Sequence, residues 1–343
     1  MSGATTHMHN EVAEIPEAIA RFLDLAGAQL KEGGAALRAR DPALIATIAR
    51  GSSDHAAAFL KYAIELSAGV PVASLAPSVA SIYGAPLRLS KAATISISQS
   101  GASPDLVAMT QTAKDGGALS FALTNNPRSS LALIASHAIN IAAGPEISVA
   151  ATKSFVCSVV AGLALIAEWQ DDDQLRQALA RLPEHAARAL ECDWSQLVPA
   201  LDRNGSLFVL GRGPAMAIAN EVALKFKETC ALHAEAYSSA EVMHGPVALV
   251  EKGFPVLALC ARDLAEISCV KVAKKLAGSG AKVFLTADAA IDAKKLDFVA
   301  TGHPLSDALC LIIPFYVFVE KYSRHLGSDP DVPSHLHKVT RTR

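Results

Sequence analysis

At 343 residues the chain exceeds one ordinary domain and suits two of roughly 150 residues each. Apolar residues make up 51% and charged residues 19%, enough to fill two cores. The balance of 31 Lys and Arg against 33 Asp and Glu, a net charge of −2, excludes a nucleic-acid platform or a membrane-surface protein held by basic charge.

Residues 1–40 read as an N-terminal helical segment, helical in pattern from residue 11. Their first stretch, MSGATTHMHNEVAEIPEA, has no basic region followed by an apolar run, so no secretion signal is expected. The strand-like run LIATIARGSS (44–53) then breaks at Arg50-Gly51 and passes into an Ala-rich helical stretch. Two further apolar runs follow, ATISISQSG (93–101) and ALSFALTNN (118–126). The same series returns as SLFVLGRGPA (206–215), FPVLALCAR (254–262) and AKVFLTADA (281–289). Arg50 and Ser98 lie 48 positions apart, as do Arg212 and Cys260; Ser98 and Thr124 lie 26 apart, as do Cys260 and Thr286. One fold is therefore used twice.

Short strands alternating with helices predict an α/β architecture. Each copy is a parallel sheet flanked by helices on both faces, a flavodoxin-like three-layer sandwich. The expected domains are 41–170 and 196–327, joined by a polar, helix-forming connector over 171–195. The tail, 328–343, has two prolines and little apolar content, so composition alone predicts disorder. The longest apolar runs, such as Ala308–Val319 with its Pro314, are 12 residues long and too short to cross a bilayer. Six cysteines without CxxC or zinc-type spacing read as reduced core thiols of a cytoplasmic protein.

In sheets of this kind ligands bind beyond the carboxyl ends of the strands, beside helix N-termini. Ser98, Gln99, Ser100 and Ser103 lie in such a turn, before the helix-like DLVAMTQTAK. Hydroxyls and backbone N–H groups at a helix start form an anion seat without a positive side chain. The alternative is a turn that merely caps the helix with Ser103 before Pro104. Ser52 and Ser53, after the first strand, add hydroxyls at the same sheet edge and favour phosphate.

In the second copy, NEVALKFKETC (220–230) puts Glu221, Lys225 and Glu228 on one helical face. A solvated face with Glu–Lys pairs is the bland reading. Against it, the helix follows a Gly-rich strand end, and the stretch after it, HAEAYSSAEVMHGPVAL, reads as irregular and holds His233, Glu235, Tyr237, Glu241 and His244. Carboxylate and imidazole are the usual proton-transfer groups near neutral pH. The absence of HxxxH or HxH pairs makes metal the lesser reading, and no metal or cofactor is expected.

The segments ARGSS, SISQSGAS, LTNNPRSSLA, AGPEISVAATKSF, LGRGPAMAIANEVALKFKETCALHAEAYSSAEVMHGPVAL and DPDVPSHLHKV occur in this order. In them the chain resembles the tandem sugar-isomerase (SIS) domain family, in particular the isomerase half of glucosamine-6-phosphate synthase. The synthase also has a glutaminase domain with an N-terminal Cys nucleophile. Here the second residue is Ser2, with about ten residues before the isomerase-like part, so the resemblance is to stand-alone glucosamine-6-phosphate deaminases. It implies that Ser52, Ser53, Ser98, Gln99, Ser100 and Ser103 bind phosphate and sugar. Val149 and Ala151 would line the sugar, Ala151 standing where many synthases have Ser. Glu228 would move a proton between C1 and C2, with Glu221 and Lys225 positioning substrate and tuning it. His244 would open the ring, reaching into the neighbouring subunit of a homodimer. Lys338 would meet the open-chain carbonyl, which implies a folded tail over the site. The expected reaction converts glucosamine 6-phosphate and water to fructose 6-phosphate and ammonia. The alternatives are another phosphorylated amino sugar (galactosamine 6-phosphate, fructosamine 6-phosphates) or a non-catalytic phosphosugar sensor.

Overall fold

The computed structural model describes residues 5–334, 336 and 338. Three helices lead the chain, α1 (His7–Ala13), α2 (Ile15–Leu25) and α3 (Gly27–Arg40). The first sheet is built from β1 (Leu44–Ile48), β2 (Val72–Ser74), β3 (Ala92–Ile97), β4 (Leu119–Thr124) and β5 (His137–Asn140). Between these strands run α4 (Ser52–Ser67), α5 (Ser78–Ser81), α6 (Pro104–Asp115) and α7 (Ser130–Ile134). Helices α8 (Lys153–Gln170), α9 (Asp173–Ala180) and α10 (Leu182–Ala189) lead into the second copy. That copy comprises β6 (Ser206–Gly211), α11 (Pro214–Cys230), β7 (His233–Ser238), β8 (Pro255–Ala258), α12 (Glu266–Gly278), β9 (Lys282–Leu285) and β10 (Lys294–Lys295). Helices α13 (Pro304–Cys310) and α14 (Ile312–His325) follow it.

Each sheet has five strands, ordered β2-β1-β3-β4-β5 and β10-β9-β8-β6-β7, the second being the first read from its other edge. All neighbours are parallel. Ile48 pairs with Ser96 and Leu210 with Ala258, so even this register repeats at the sequence offset. The two-copy α/β expectation therefore holds at the level of individual strand pairs. Parallel strands need helical crossovers, and those crossovers cover the sheet. Every residue of β3 is buried, although Thr94 and Ser96 alternate with apolar residues in its sequence; the Ser96 hydroxyl is paired with that of Thr110 at 2.7 Å. Leu44 and Ile48 of β1 pack with Val79 of α5 and with Leu106, Met109 and Ala113 of α6.

Contacts divide the described chain into two compact units that interleave in sequence. One holds the residues up to Pro16, Ile147–Thr152 and Arg181–Leu336, and therefore the second sheet. The other holds Glu17–Glu146, Lys153–Ala180 and Lys338, and therefore the first. The helical connector is shared out, α9 to the first-sheet unit and α10 to the second-sheet unit.

Two elements differ from the sequence expectation. Helix α8 has 18 residues and is apolar enough to reach membrane-spanning length, longer than the 12-residue runs suggested. Ser154 and Ser158 interrupt its apolar run in the sequence, yet 89% of it is buried against protein. Residues 233–238 form edge strand β7 rather than an irregular segment. Its period-two pattern, small Ala234 and Ala236 between His233, Glu235 and Tyr237, is that of a half-buried strand.

Glycine at position 34 shows how tightly the first-sheet unit is packed. A Cβ there would lie 2.7 Å from the backbone carbon of Glu168 in α8, so α3 approaches α8 only without a side chain. Gly278, at the end of α12, has open space instead. Gly34→Ala should therefore lower stability by about 1–3 kcal/mol, overpacking outweighing the helix-propensity gain. Gly278→Ala should be neutral or stabilising by up to about 1 kcal/mol. Chemical denaturation of both variants checks the pair, and similar effects at the two sites would contradict the packing argument.

Candidate active site

The first-sheet unit brings the predicted serines together at its topological switch point. Strands β1 and β3 are neighbours, and their following helices leave from the crevice between their carboxyl ends. Ser52 and Ser53 open α4, after Gly51 at φ 57° and ψ −134°, a backbone conformation suited to glycine. Ser98 is buried, and its Oγ accepts the Gly101 N–H at 3.2 Å. Ser100 Oγ accepts the Ala102 N–H at 3.3 Å. Gly101 has φ 62°, and a Cβ on it would fall 2.1 Å from Ser129 Oγ, so the turn excludes any side chain there. Asp105 of α6 pairs with Arg50, tying the two turns to each other.

Ser103 occupies the N-cap of α6 with Pro104 next, as the capping alternative requires, yet its side chain makes no capping hydrogen bond. A hydroxyl at a helix start that does not satisfy the helix is available to another acceptor or donor. Two helix N-termini and several hydroxyls thus converge on one crevice, an arrangement suited to an anion.

In the second-sheet unit the acidic face of α11 is internal, not solvated. Glu221 and Lys225 have fully buried side chains, and that of Glu228 is 22% exposed. Lys225 Nζ donates to Glu228 Oε2 at 2.6 Å and lies 3.1 Å from Glu221 Oε1. The Tyr316 hydroxyl also donates to Glu221 Oε1, at 3.1 Å. Burial alone would strip Lys225 of its proton; the two carboxylates outweigh it and hold the pKa above the usual lysine value. Lys225 is therefore a fixed cation, and it anchors the carboxylate of Glu228.

Glu228 borders a cavity of about 660 Å³, roofed by tail residues that include Ser328, Asp329, Pro333 and Leu336. The compositional expectation of a disordered tail thus fails for its described residues. Pro330 and Pro333 are buried, and Asp331 accepts two backbone hydrogen bonds from α1, which replaces the missing apolar content. Lys338 belongs to the first-sheet unit, where its Nζ lies 3.3 Å from Glu146 Oε2. Glu146 also accepts the Ser154 N–H at 3.0 Å. Val149 and Ala151 are half-buried, and the Val149 N–H donates to the Asp331 carbonyl at 3.1 Å.

The structure does not bring Glu228 and His244 together within one chain. Helix α11 returns from the carboxyl end of β6 to the amino end of β7, and Glu228 sits near its last turn. His244 lies exposed after β7, beyond the opposite sheet edge, about 17 Å of strand away. The sequence argument linked Glu228 to the Gly-rich strand end that precedes α11. That turn touches the start of the helix, whereas Glu228 lies 14 residues further on from Pro214. Glu146 and Asp331 escaped the sequence argument as well. Both stand inside the segments that carry the family resemblance, AGPEISVAATKSF and DPDVPSHLHKV, but nothing local marks them.

Comparison with known proteins adds a family. Residues 40–168 and 200–310 match the SIS domain. A glutamine–fructose-6-phosphate aminotransferase (isomerizing) of Bradyrhizobium diazoefficiens is 32% identical over 358 aligned positions, which cover 96% of this chain and 58% of that protein. The chain spans about half the length of the curated relatives it matches. A crystal structure from Silicibacter pomeroyi, of a protein provisionally named a phosphosugar isomerase, is 54% identical with a TM-score of 0.92. The match covers 95% of this chain and 100% of that one. The C-terminal domain of the Francisella tularensis glucosamine-fructose-6-phosphate aminotransferase is 27% identical with a TM-score of 0.83, covering 96% and 99%.

Removing the buried cation tests the electrostatic reading. Lys225→Met leaves two carboxylates facing each other, one fully buried, and should cost about 3–5 kcal/mol in chemical denaturation. Adding Glu221→Gln should restore part of that loss. Because the folded Lys225 pKa is raised, its contribution is complete below the unfolded value of about 10.4 and fades only above it. Lys225 should thus add no pH dependence to wild-type stability from about pH 7 to 10, and a gap to Lys225→Met that widens in this window reports titration of the uncovered carboxylates in the variant.

Proposed function

We infer the activity from one premise: the chain belongs to the SIS domain family, whose match covers both α/β copies. We propose that it is a glucosamine-6-phosphate deaminase, converting glucosamine 6-phosphate and water to fructose 6-phosphate and ammonia. The observation that carries this reading is Glu228, a partly exposed carboxylate on a 660 Å³ cavity, held from behind by a buried, protonated lysine. A base of this kind can take the proton from C2 of the open-chain amino sugar and return it at C1. The product is a 2-imino ketose, and water then adds to the imine carbon and displaces ammonia. Water is in vast excess over ammonia, which favours hydrolysis over amination.

In this reading the crevice of Ser52, Ser53, Ser98, Gln99, Ser100 and Ser103 seats the phosphate. Val149 and Ala151 line the sugar, and Lys338 meets the carbonyl exposed on ring opening. His244 assists that opening in the site of a second copy. Its distance from Glu228 within one chain supports a homodimeric site. All six cysteines are free, five of them buried, which supports a cytoplasmic setting.

The proposal predicts that Glu228→Gln loses roughly 10²–10⁴-fold in ammonia release while still binding the phosphosugar. Unchanged turnover would remove Glu228 from the mechanism. Replacing Ser98 or Ser100 by Ala should raise KM by roughly 10-fold or more, the worth of a hydrogen bond to a charged group. Offering glucosamine, galactosamine and fructosamine 6-phosphates in the same assay, with ammonia and ketose phosphate both measured, identifies the substrate. Mixing Glu228→Gln with His244→Ala tests the shared site: restored activity after subunit exchange supports it, and none argues for self-contained sites.

A further inference from the structure

Helix α1 is tied to the C-terminal tail at Asp331. Asp331 takes the His7 N–H on Oδ2 and the Met8 N–H on Oδ1, both at 2.7 Å. One turn later Glu11, buried, accepts the Ile147 N–H, the Ser148 N–H at 3.2 Å and the Ser148 hydroxyl. The Val149 N–H then donates to the Asp331 carbonyl at 3.1 Å. These bonds close a ring running α1, Asp331, Val149, Ser148, Glu11 and back to α1. Thr6 adds a strut, its hydroxyl donating to Glu320 Oε1 of α14 at 2.8 Å.

Every link lies inside the second-sheet unit and joins segments more than 130 positions apart in sequence. A seven-residue helix does not persist on its own propensity, so α1 exists because these side chains hold it. Apart from α1 itself, the ring joins two segments on which the proposed chemistry depends. One is 147–151, with Val149 and Ala151; the other is the tail, whose Lys338 comes seven residues after Asp331.

We propose that Asp331 and Glu11 are positioning residues that clamp the tail to the sugar-lining segment, so that Lys338 meets the substrate carbonyl in one fixed geometry. The inference rests on the deaminase reading above and adds two residues that touch no substrate. Asp331 is only half-buried and lies outside both sheets, so its loss leaves the cores intact. Misplacing a group by about 1 Å costs up to about 10²-fold in rate without removing any binding contact.

The test is the set Asp331→Ala, Asp331→Asn and Glu11→Gln. Steady-state ammonia release from glucosamine 6-phosphate is read together with amide hydrogen exchange of the tail over 328–334. Asp331→Ala should lose roughly 10- to 100-fold in kcat, with KM changed less than about threefold. Its tail amides should exchange faster while those of α8 and α11 stay protected. Asp331→Asn, which keeps one acceptor oxygen, should fall between. Unchanged kcat in Asp331→Ala, or a rise in KM alone, overturns the clamp. If the Ala variant does not fold, Asp331→Asn decides: full kcat overturns the clamp and a partial loss supports it. Exchange needs no substrate. If the unaltered protein releases no ammonia, the deaminase reading falls, and unchanged tail exchange in Asp331→Asn still counts against the clamp on its own.

Discussion

Everything in this chain follows from two parallel sheets whose central strands are buried on both faces. A parallel pair needs a crossover, and the crossover helix occupies the face it passes over. Strand interiors such as Ala92–Ile97 are then sealed, and polar chemistry is confined to strand ends, helix ends and the segments outside the sheets. In the proposed function each copy uses a different one of these places. The first uses the crevice between β1 and β3, where two helices begin. The second uses the last turn of α11 together with the tail across the cavity from it.

The two copies share their backbone more closely than their chemistry. Gly51 and Gly213 take nearly the same unusual conformation at the start of α4 and α11, φ 57° and ψ −134° against φ 60° and ψ −140°. The turns beside them differ. Where the first copy has Ser98, Gln99 and Ser100, the second has Cys260, Ala261 and Arg262. Arg262 stacks 4.0 Å above the Phe298 ring and lies 3.6 Å from the buried Asp307. Burial raises the pKa of Asp307, and the nearby guanidinium opposes the shift. The turn at Cys260-Ala261-Arg262 offers no row of hydroxyls, so duplication of the fold did not duplicate the proposed anion seat.

The fold was legible because its signals are local and repeat. Matched spacings of Arg50, Ser98 and Thr124 with Arg212, Cys260 and Thr286 reappear as matched strand order and register. The spacing of Glu221, Lys225 and Glu228 was legible as a shared face, but not as a buried one. Periodicity reports which residues share a side of a helix and is silent on what covers it. Here Tyr316, 95 positions away, covers it. The tail misled for the same reason: the order of its described residues comes from bonds between Asp331 and residues 7 and 8, over 320 positions away. Composition counts apolar side chains and cannot see a carboxylate seated on two distant backbone amides.

The buried lysine also explains how so much charge is tolerated beside a core. An isolated ammonium at full burial would lose its proton, and an isolated carboxylate would gain one. Lys225 between Glu221 and Glu228 avoids both, with Tyr316 supplying a further hydrogen bond to the inner carboxylate. Glu221 and Tyr316 spend their polar groups inward. Glu228 alone keeps part of its surface in the cavity, with Lys225 holding one of its oxygens at 2.6 Å. A carboxylate held on one side and open on the other has a fixed direction for proton transfer. The anion seat proposed for the first copy is arranged on the opposite principle. Its field comes from helix starts and hydroxyls, so it can hold a phosphate without burying a second cation.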